Sequence, residues 1–373
     1  MKVLITGSNG FIGKNLIAHL GERSDVEILR FTREDDVAQL PSLLTQVDFV
    51  FHLAGVNRPQ NPEEFKAGNT DLTRAICDAV ALSGRSIPVL YTSSSQAELD
   101  NAYGNSKRGA EAALTELADN YGIKVYVFRL PNVFGKWARP NYNSAVATFC
   151  HNTVQGLPIQ IHDAQAKIDL VYIDDVIRYF IAAMDGLLSS ERFATVEPMY
   201  TISVGALAKQ LEAFRDSRDT LITEPVGKGL IRALYSTYVS YLPPDRFTYE
   251  VPKYGDSRGV FVEMLKTADS GQFSYFTAHP GITRGGHYHH SKTEKFLVIK
   301  GTACFRFRHI VSGEFYELFT SGEKPEIVET VPGWTHDITN VGGEEMIVML
   351  WANEIFDREL PDTYTRPVAT SIQ

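Results

Sequence analysis

The stretch Met1-Lys2-Val3-Leu4-Ile5-Thr6-Gly7-Ser8-Asn9-Gly10-Phe11-Ile12-Gly13 decides how this chain folds. Val3–Ile5 is an apolar run of strand length, and it leads without a break into glycines at every third position. Helix-like sequence, Gly13–Leu20, follows at once. Glycine has no Cβ, so such a backbone can approach a pyrophosphate closely, and the helix start supplies N–H donors and the positive end of a dipole. A glycine string alone says little. Between a strand and a helix it predicts a dinucleotide cradle made by Gly7, Asn9, Gly10, Phe11, Ile12 and Gly13.

Outward from the cradle the alternation continues. Glu27–Phe31, Phe49–Leu53, Val89–Tyr91 and Val125–Phe128 read as buried strands, and Asp71–Leu82 and Lys107–Tyr121 as helices. This predicts an α/β fold, a Rossmann-type doubly wound parallel sheet covered on both faces. The pattern changes after about residue 240. Leu242-Pro243-Pro244-Asp245 is a breaker cluster. Short aromatic and β-branched runs follow: Val260–Met264, Phe273–Thr277, Phe296–Ile299, Cys304–His309, Ile327–Val331 and Glu345–Trp351. Punctuated by glycine and proline, they predict an all-β sandwich or barrel. The expected division is residues 1–245 and 246–373, without repeats or low-complexity segments.

Of 373 residues, 44% are apolar and 22% charged, which is enough for two packed cores and unlike a disordered chain. The net charge is −9 and no basic run stands out, which argues against a nucleic-acid or anionic-membrane partner. Cys77, Cys150 and Cys304 are odd in number and far apart, so a reducing, cytoplasmic setting is expected and not a disulfide framework. No apolar stretch approaches the ~18 residues of a membrane span. The first apolar run is too short for a signal peptide.

The second strand ends in Arg30-Phe31-Thr32-Arg33, where the adenosine ribose lies in such folds. An acidic residue there would take the 2′-hydroxyl of NAD. A cation and a hydroxyl suit the 2′-phosphate of NADP, so NADP(H) is expected on Thr32 and Arg33, with Arg33 ahead of Arg30. Tyr103 and Lys107 stand four apart, on one helical face. An ammonium beside a phenol lowers its pKa and fits it to exchange a proton with a carbonyl or hydroxyl oxygen. Thr92-Ser93-Ser94-Ser95, at a strand end just upstream, offers hydroxyls for the same oxygen.

Together these residues resemble the extended branch of the short-chain dehydrogenase/reductase superfamily, which acts on nucleotide sugars. The resemblance spans roughly residues 1–240 and includes His52-Leu53-Ala54-Gly55, Arg129-Leu130-Pro131-Asn132-Val133-Phe134-Gly135 and Tyr172-Ile173-Asp174-Asp175-Val176. It implies Ser94, Tyr103 and Lys107 as the catalytic set. It also implies Leu53, Ala54 and Gly55, with Tyr103 and Lys107, against the cofactor, and Asn132, Asn141 and Asn143 facing the sugar nucleotide. Ser94 stands only nine residues before Tyr103, closer than is usual in that branch, so Ser93 and Ser95 stay open beside it. Ser95-Gln96 replaces the acidic neighbours of the dehydratases.

In the second half, His287-Tyr288-His289-His290 is followed by Glu294 and later by His336. Alternate strand residues share a face, so His287 and His289 point one way and His290 the other. Three imidazoles and a carboxylate suit Zn, Mn, Fe or Ni. The spacing Gly281, His287, His289, Glu294, Gly301 resembles the first motif of the cupin family, and Gly333, His336 and Asn340 resemble the second. This implies a cupin barrel with His287, His289, Glu294 and His336 as metal ligands. Asp256-Ser257-Arg258-Gly259-Val260-Phe261-Val262-Glu263 and Arg284-Gly285-Gly286-His287-Tyr288 are also similar to cupin epimerases of nucleotide-linked 4-keto-6-deoxysugars. There the arginine matching Arg258 contacts the diphosphate sugar, and the histidine matching His287 is the base. One nitrogen cannot hold a metal and take a proton, so Lys295, His309 and Tyr275 stand as alternative bases.

A reductase followed by a metal cupin resembles the CapF family of bacterial surface-polysaccharide enzymes over essentially the whole chain. The resemblance implies Zn²⁺, NADPH, a homodimer and UDP-2-acetamido-2,6-dideoxy-β-L-arabino-hexos-4-ulose as substrate. The cupin would epimerise C3, and the first domain would reduce C4 to give UDP-N-acetyl-6-deoxy-L-talosamine, precursor of UDP-N-acetyl-L-fucosamine. A plain NADPH-dependent 4-reductase with a structural or binding cupin is the alternative. An iron dioxygenase is a further rival, against which the epimerase-like segments argue. UDP and dTDP both fit as carriers.

Overall fold

The computed structural model describes residues 1–188, 192–251, 253–256, 259–262, 265–267, 271–354 and 359–368. They form two compact units. One comprises residues 1–145 with 167–202, the other 146–166 with 203–373.

The first unit is built on a six-stranded sheet. Its strands are β1 (Lys2–Thr6), β2 (Glu27–Phe31), β3 (Phe49–His52), β4 (Val89–Ser94), β5 (Val125–Leu130) and an edge strand, Phe193–Ala194. The order is β2-β1-β3-β4-β5-edge, all pairs parallel. Its central strands read as continuous apolar runs because both faces are covered. Ile76, Val80, Leu114 and Leu117 pack on one side. On the other, the Phe180 ring lies 6.5 Å from Phe51 and 5.0 Å from Phe128. The chain leaves β1 toward β2 on one side and leaves β3 toward β4 on the other, and ligands of open α/β sheets bind at such a switch point.

Two helices differ from their expected limits. The helix containing Tyr103 starts at Ala102, since Asn101 caps it by accepting from Gly104 N at 2.8 Å. The helix Leu72–Leu82 is preceded by a π-helical turn, Lys66–Asp71.

The second unit holds two five-stranded antiparallel sheets. One runs Thr248–Glu250, Glu326–Glu329, Glu294–Lys300, Met346–Ala352, Gln272–Ala278. The other runs Phe315–Ser321, Thr302–His309, Trp334–Asn340, Thr283–Tyr288, Tyr364–Thr365. Phe296 of the first meets Phe305 of the second edge to face at 5.6 Å. The expected boundary at residue 245 falls inside this unit. Helices Val204–Thr220 and Gly229–Val239 pack onto the β-region through a buried polar knot. Glu329 accepts from Lys295 and Arg218, and from Tyr235 Oη at 3.1 Å. Among the described residues no helix is long and apolar enough to cross a membrane, and the cysteines are buried and free.

Trp351 is wholly buried in the first of these sheets. Trp351→Ala should destabilise this unit by about 3–5 kcal/mol, as large aromatic truncations in packed cores do. The readout is the denaturant midpoint of the C-terminal transition. An unchanged midpoint would mean the residue does not hold the core.

Candidate active site and metal centre

β1 ends where Gly7 turns the chain with φ 68°, and a Cβ there would fall 2.7 Å from Ala54 N. A Cβ on Gly13 would fall 2.4 Å from the Gly7 carbonyl oxygen. The helix Phe11–Leu20 has no side-chain cap, which leaves its first N–H groups to a ligand. The loop lines a cavity of about 1230 Å³, together with Thr32–Asp35, Leu53–Asn57, Ser94, Tyr103, Lys107, Asn132 and Asn143. That cradle fits a nicotinamide dinucleotide. The adenosine end holds one surprise. Thr32 N and Oγ1 donate to Asp35 at 2.7 and 2.9 Å, so this hydroxyl is already committed.

Lys107 is buried, and its Nζ donates to Thr92 O at 2.9 Å. It lies 4.9 Å from the centre of the Tyr91 ring and 5.9 Å from that of Tyr103. Burial lowers its pKa to about 8 against the upward pull of Glu111. Burial also pushes the Tyr103 phenol up, and a hydrogen bond with Ser94 draws it part of the way back. Here the expectation needs correcting, because the phenol is held protonated and not eased toward phenolate. The serine run sorts by partner. Ser93 Oγ is turned to Glu111 at 2.5 Å, Ser95 is exposed, and Ser94 is the one beside the phenol.

Asn69 was not legible in the sequence. It accepts from Val56 N at 2.8 Å and donates to Val56 O and Ser106 Oγ at 2.9 Å each. It thereby fixes the Gly55–Val56 backbone, where a Cβ on Gly55 would be 3.4 Å from Lys107 Nζ. Its π-helical turn breaks the 3.6-residue period that would have flagged it. Asn132 donates to Asp169 O at 3.0 Å. Asn141 adopts left-handed backbone, φ 55°, and does not line the cavity. Arg258 lies outside the described residues.

In the second unit His287, His289, Glu294 and His336 each offer an atom within 4.8 Å of the others. His287 and His336 come from one sheet, Glu294 opens a strand of the other, and His289 follows the strand Thr283–Tyr288. A bulge between Gly285 and His287, with Gly285 and Gly286 at φ 97° and 77°, aims His287 inward. Burial and the neighbouring imidazoles hold His287 at about 3, and burial lowers His336. Burial raises Glu294, but His289 and His336 outweigh it and bring it well below the usual range. His287 and His336 kept neutral and Glu294 kept ionised are the forms in which such side chains bind a metal. His336 Nε2 lies 3.4 Å from Glu294 Oε2, buried in the cluster and turned toward the same point as the other three side chains. The residues fit a divalent cation.

Asp362 organises this group from behind. Its carbonyl is bonded by His289 Nδ1, which turns Nε2 toward Glu294 at 3.0 Å. Its carboxylate accepts from the backbone N–H of His290, Ser291 and Lys292 at 2.7–2.8 Å. None of the three alternative bases joins the cluster. Lys295 sits on the opposite strand face with Glu329 and Tyr249, His309 bonds Ser312, and Tyr275 is 72% exposed. His290 packs on Tyr364, away from the ligand set.

Residues 3–194 match the NAD dependent epimerase/dehydratase family, and residues 254–364 the polysaccharide biosynthesis C-terminal domain. The chain is 68% identical over 98% of both lengths to a UDP-2-acetamido-2,6-beta-L-arabino-hexul-4-ose reductase of Pseudomonas aeruginosa. It is similar to the crystal structure of capsular polysaccharide assembling protein CapF from Staphylococcus aureus, with TM-score 0.69 and 41% identity over 99% of this chain and 100% of that one. A UDP-glucuronic acid 4-epimerase from Bacillus cereus, in complex with NAD, shares the fold of the first unit at TM-score 0.52 and 20% identity, over 57% of this chain and 82% of that one.

Lys107 gives a pH signature. With a folded pKa near 8 against 10.5 for a free lysine, the folded protein binds fewer protons than the unfolded chain between those values. Stability from this group therefore rises with pH across that window, and the penalty of its buried charge is felt below pH 8. Urea unfolding of wild type and Lys107→Met should show the wild type gaining on the variant from pH 8 to 10. A pH-independent difference would contradict a buried, depressed ammonium.

Proposed function

We propose that this chain, a member of the NAD dependent epimerase/dehydratase family in its CapF-like branch of UDP-sugar reductases, is bifunctional. It reduces C4 of UDP-2-acetamido-2,6-dideoxy-β-L-arabino-hexos-4-ulose with NADPH, after its C-terminal region has inverted C3. The observation that carries the reading is the meeting of glycine cradle, Ser94, Tyr103 and buried Lys107 in one cavity.

Bound along the cradle, the nicotinamide cofactor supplies the hydride. Tyr103 donates its proton to the C4 oxygen as charge develops there, and Ser94 hydrogen-bonds the same oxygen. A phenol kept protonated by burial is the correct form for the reductive direction. Lys107, as ammonium, stabilises the phenolate left behind. Arg33, at the adenosine end, supports NADPH over NADH.

The C-terminal unit reads as a cupin barrel with Zn²⁺ on His287, His289, Glu294 and His336. When bound, the cation supplies Lewis-acid polarisation of a carbonyl. A 4-ketone makes the C3 proton acidic, and its return on the other face inverts C3. Reduction then removes that acidity and fixes the talo product. A cytoplasmic homodimer completes the reading.

The test uses the UDP-linked ketosugar with NADPH deuterated at the nicotinamide C4. Deuterium should appear at sugar C4, and Tyr103→Phe should lower kcat by roughly 10²–10⁴-fold while NADPH still binds. Wild-type turnover in Tyr103→Phe would overturn the acid assignment.

A further inference from the structure

We propose that Arg58 and Arg139, set around the Tyr142 ring, bind the diphosphate of the nucleotide sugar. The inference deepens the reductase reading and rests on it. Arg58 lies in the loop after β3, and Arg139 in the loop after the strand Asn132–Phe134. Their guanidinium carbons lie 5.9 and 5.5 Å from the centre of the Tyr142 ring. Arg139, Tyr142 and Asn57 line the same cavity as Ser94 and Tyr103.

The charge bookkeeping of the unit singles these residues out. Among its described residues, every other arginine except Arg30 and Arg33 has a carboxylate partner within 4 Å. Among the described residues Arg58 and Arg139 have none. In a chain of net charge −9, acidic partners are plentiful, so two unpaired cations at one ring stand out. The negative face of the ring attracts each guanidinium, and a bound anion would offset the positive charge that remains. Guanidinium forks match phosphate oxygens in pairs, which suits a diphosphate better than a neutral sugar.

The loop that carries Arg139 is built and strained. Trp137, on its near side, has φ 71°, a conformation an aromatic residue seldom adopts, and Asn141, on its far side, turns the chain with φ 55°. Its near end is anchored by Lys136, which is 1% exposed and donates to Asp174 at 2.7 Å. Strain held by a rigid base is a common mark of a ligand loop. Arg30 and Arg33 belong to the end of β2, the adenosine side. The two unpaired sets thus divide between the cofactor's phosphate and the substrate's.

Calorimetry on the NADPH-loaded protein tests this with UDP, UMP and uridine as probes. Wild type should bind UDP more tightly than uridine, and salt should weaken only the difference. Arg58→Ala and Arg139→Ala should each weaken UDP about tenfold, with uridine and NADPH affinities unchanged. The unchanged NADPH affinity reports an intact fold, and the Gln variants serve if an Ala variant fails to fold. A double variant that binds UDP as wild type does overturns the proposal. So does a parallel loss of NADPH, which would assign the pair to the cofactor. If wild type reduces the ketosugar and the double variant keeps its KM, the diphosphate site alone falls. If wild type neither binds UDP nor reduces the ketosugar, the substrate reading falls and takes this site with it.

Discussion

Two missing Cβ atoms set the architecture of the reductive site. At Gly7 and Gly13 a methyl group would sit 2.7 Å from Ala54 N and 2.4 Å from the Gly7 carbonyl. Their absence lets β1, the helix after it and the loop after β3 converge, and the cavity opens at that meeting point. The rest is arranged around it. Asn69 pins the Gly55–Val56 backbone beside Lys107, and Lys107 is held by the Thr92 carbonyl. His52, kept neutral by burial at about 3, ties β1 to the helix Leu72–Leu82 through Thr6 and Thr73 at 2.8 Å each.

The electrostatics of the site follow from dehydration more than from charge pairing. The sequence suggested that Lys107 would ease the proton off Tyr103. Burial acts on both groups, holding the phenol protonated and making the ammonium easier to neutralise. This favours delivering a proton to a developing alkoxide, the reductive direction. In the candidate metal cluster burial likewise lowers His287 and His336, while contact with His289 and His336 keeps Glu294 ionised.

How much of this could be read beforehand depended on how local the signal was. The parallel sheet and the glycine cradle were legible, because buried strands and close backbone approach are written in contiguous residues. The helix start at Ala102 was missed because its marker is a polar cap, Asn101. Asn69 was missed because a π-helical turn breaks the period. The strand Phe315–Ser321 alternates too weakly to announce itself. The inclusion of residues 203–245 in the second unit depends on a knot between residues far apart, Arg218, Tyr235, Lys295 and Glu329, as does the role of Asp362 behind His289. The four candidate ligands were legible through spacing, whereas the bases proposed beside them were not, since Lys295 faces the other side of its strand.

The two units make chemical sense together if they share one ketosugar, with the acidity of C3 used before the ketone is removed. Proton NMR of the UDP-linked 4-ketosugar in D₂O, with the full-length protein and metal but first without NADPH, tests this most directly. Deuterium should appear at C3 before any cofactor is added, and a C4-reduced talo product carrying that deuterium should form once NADPH is supplied. Reduction with no exchange at C3 would contradict it and leave a 4-reductase whose C-terminal unit only binds or supports.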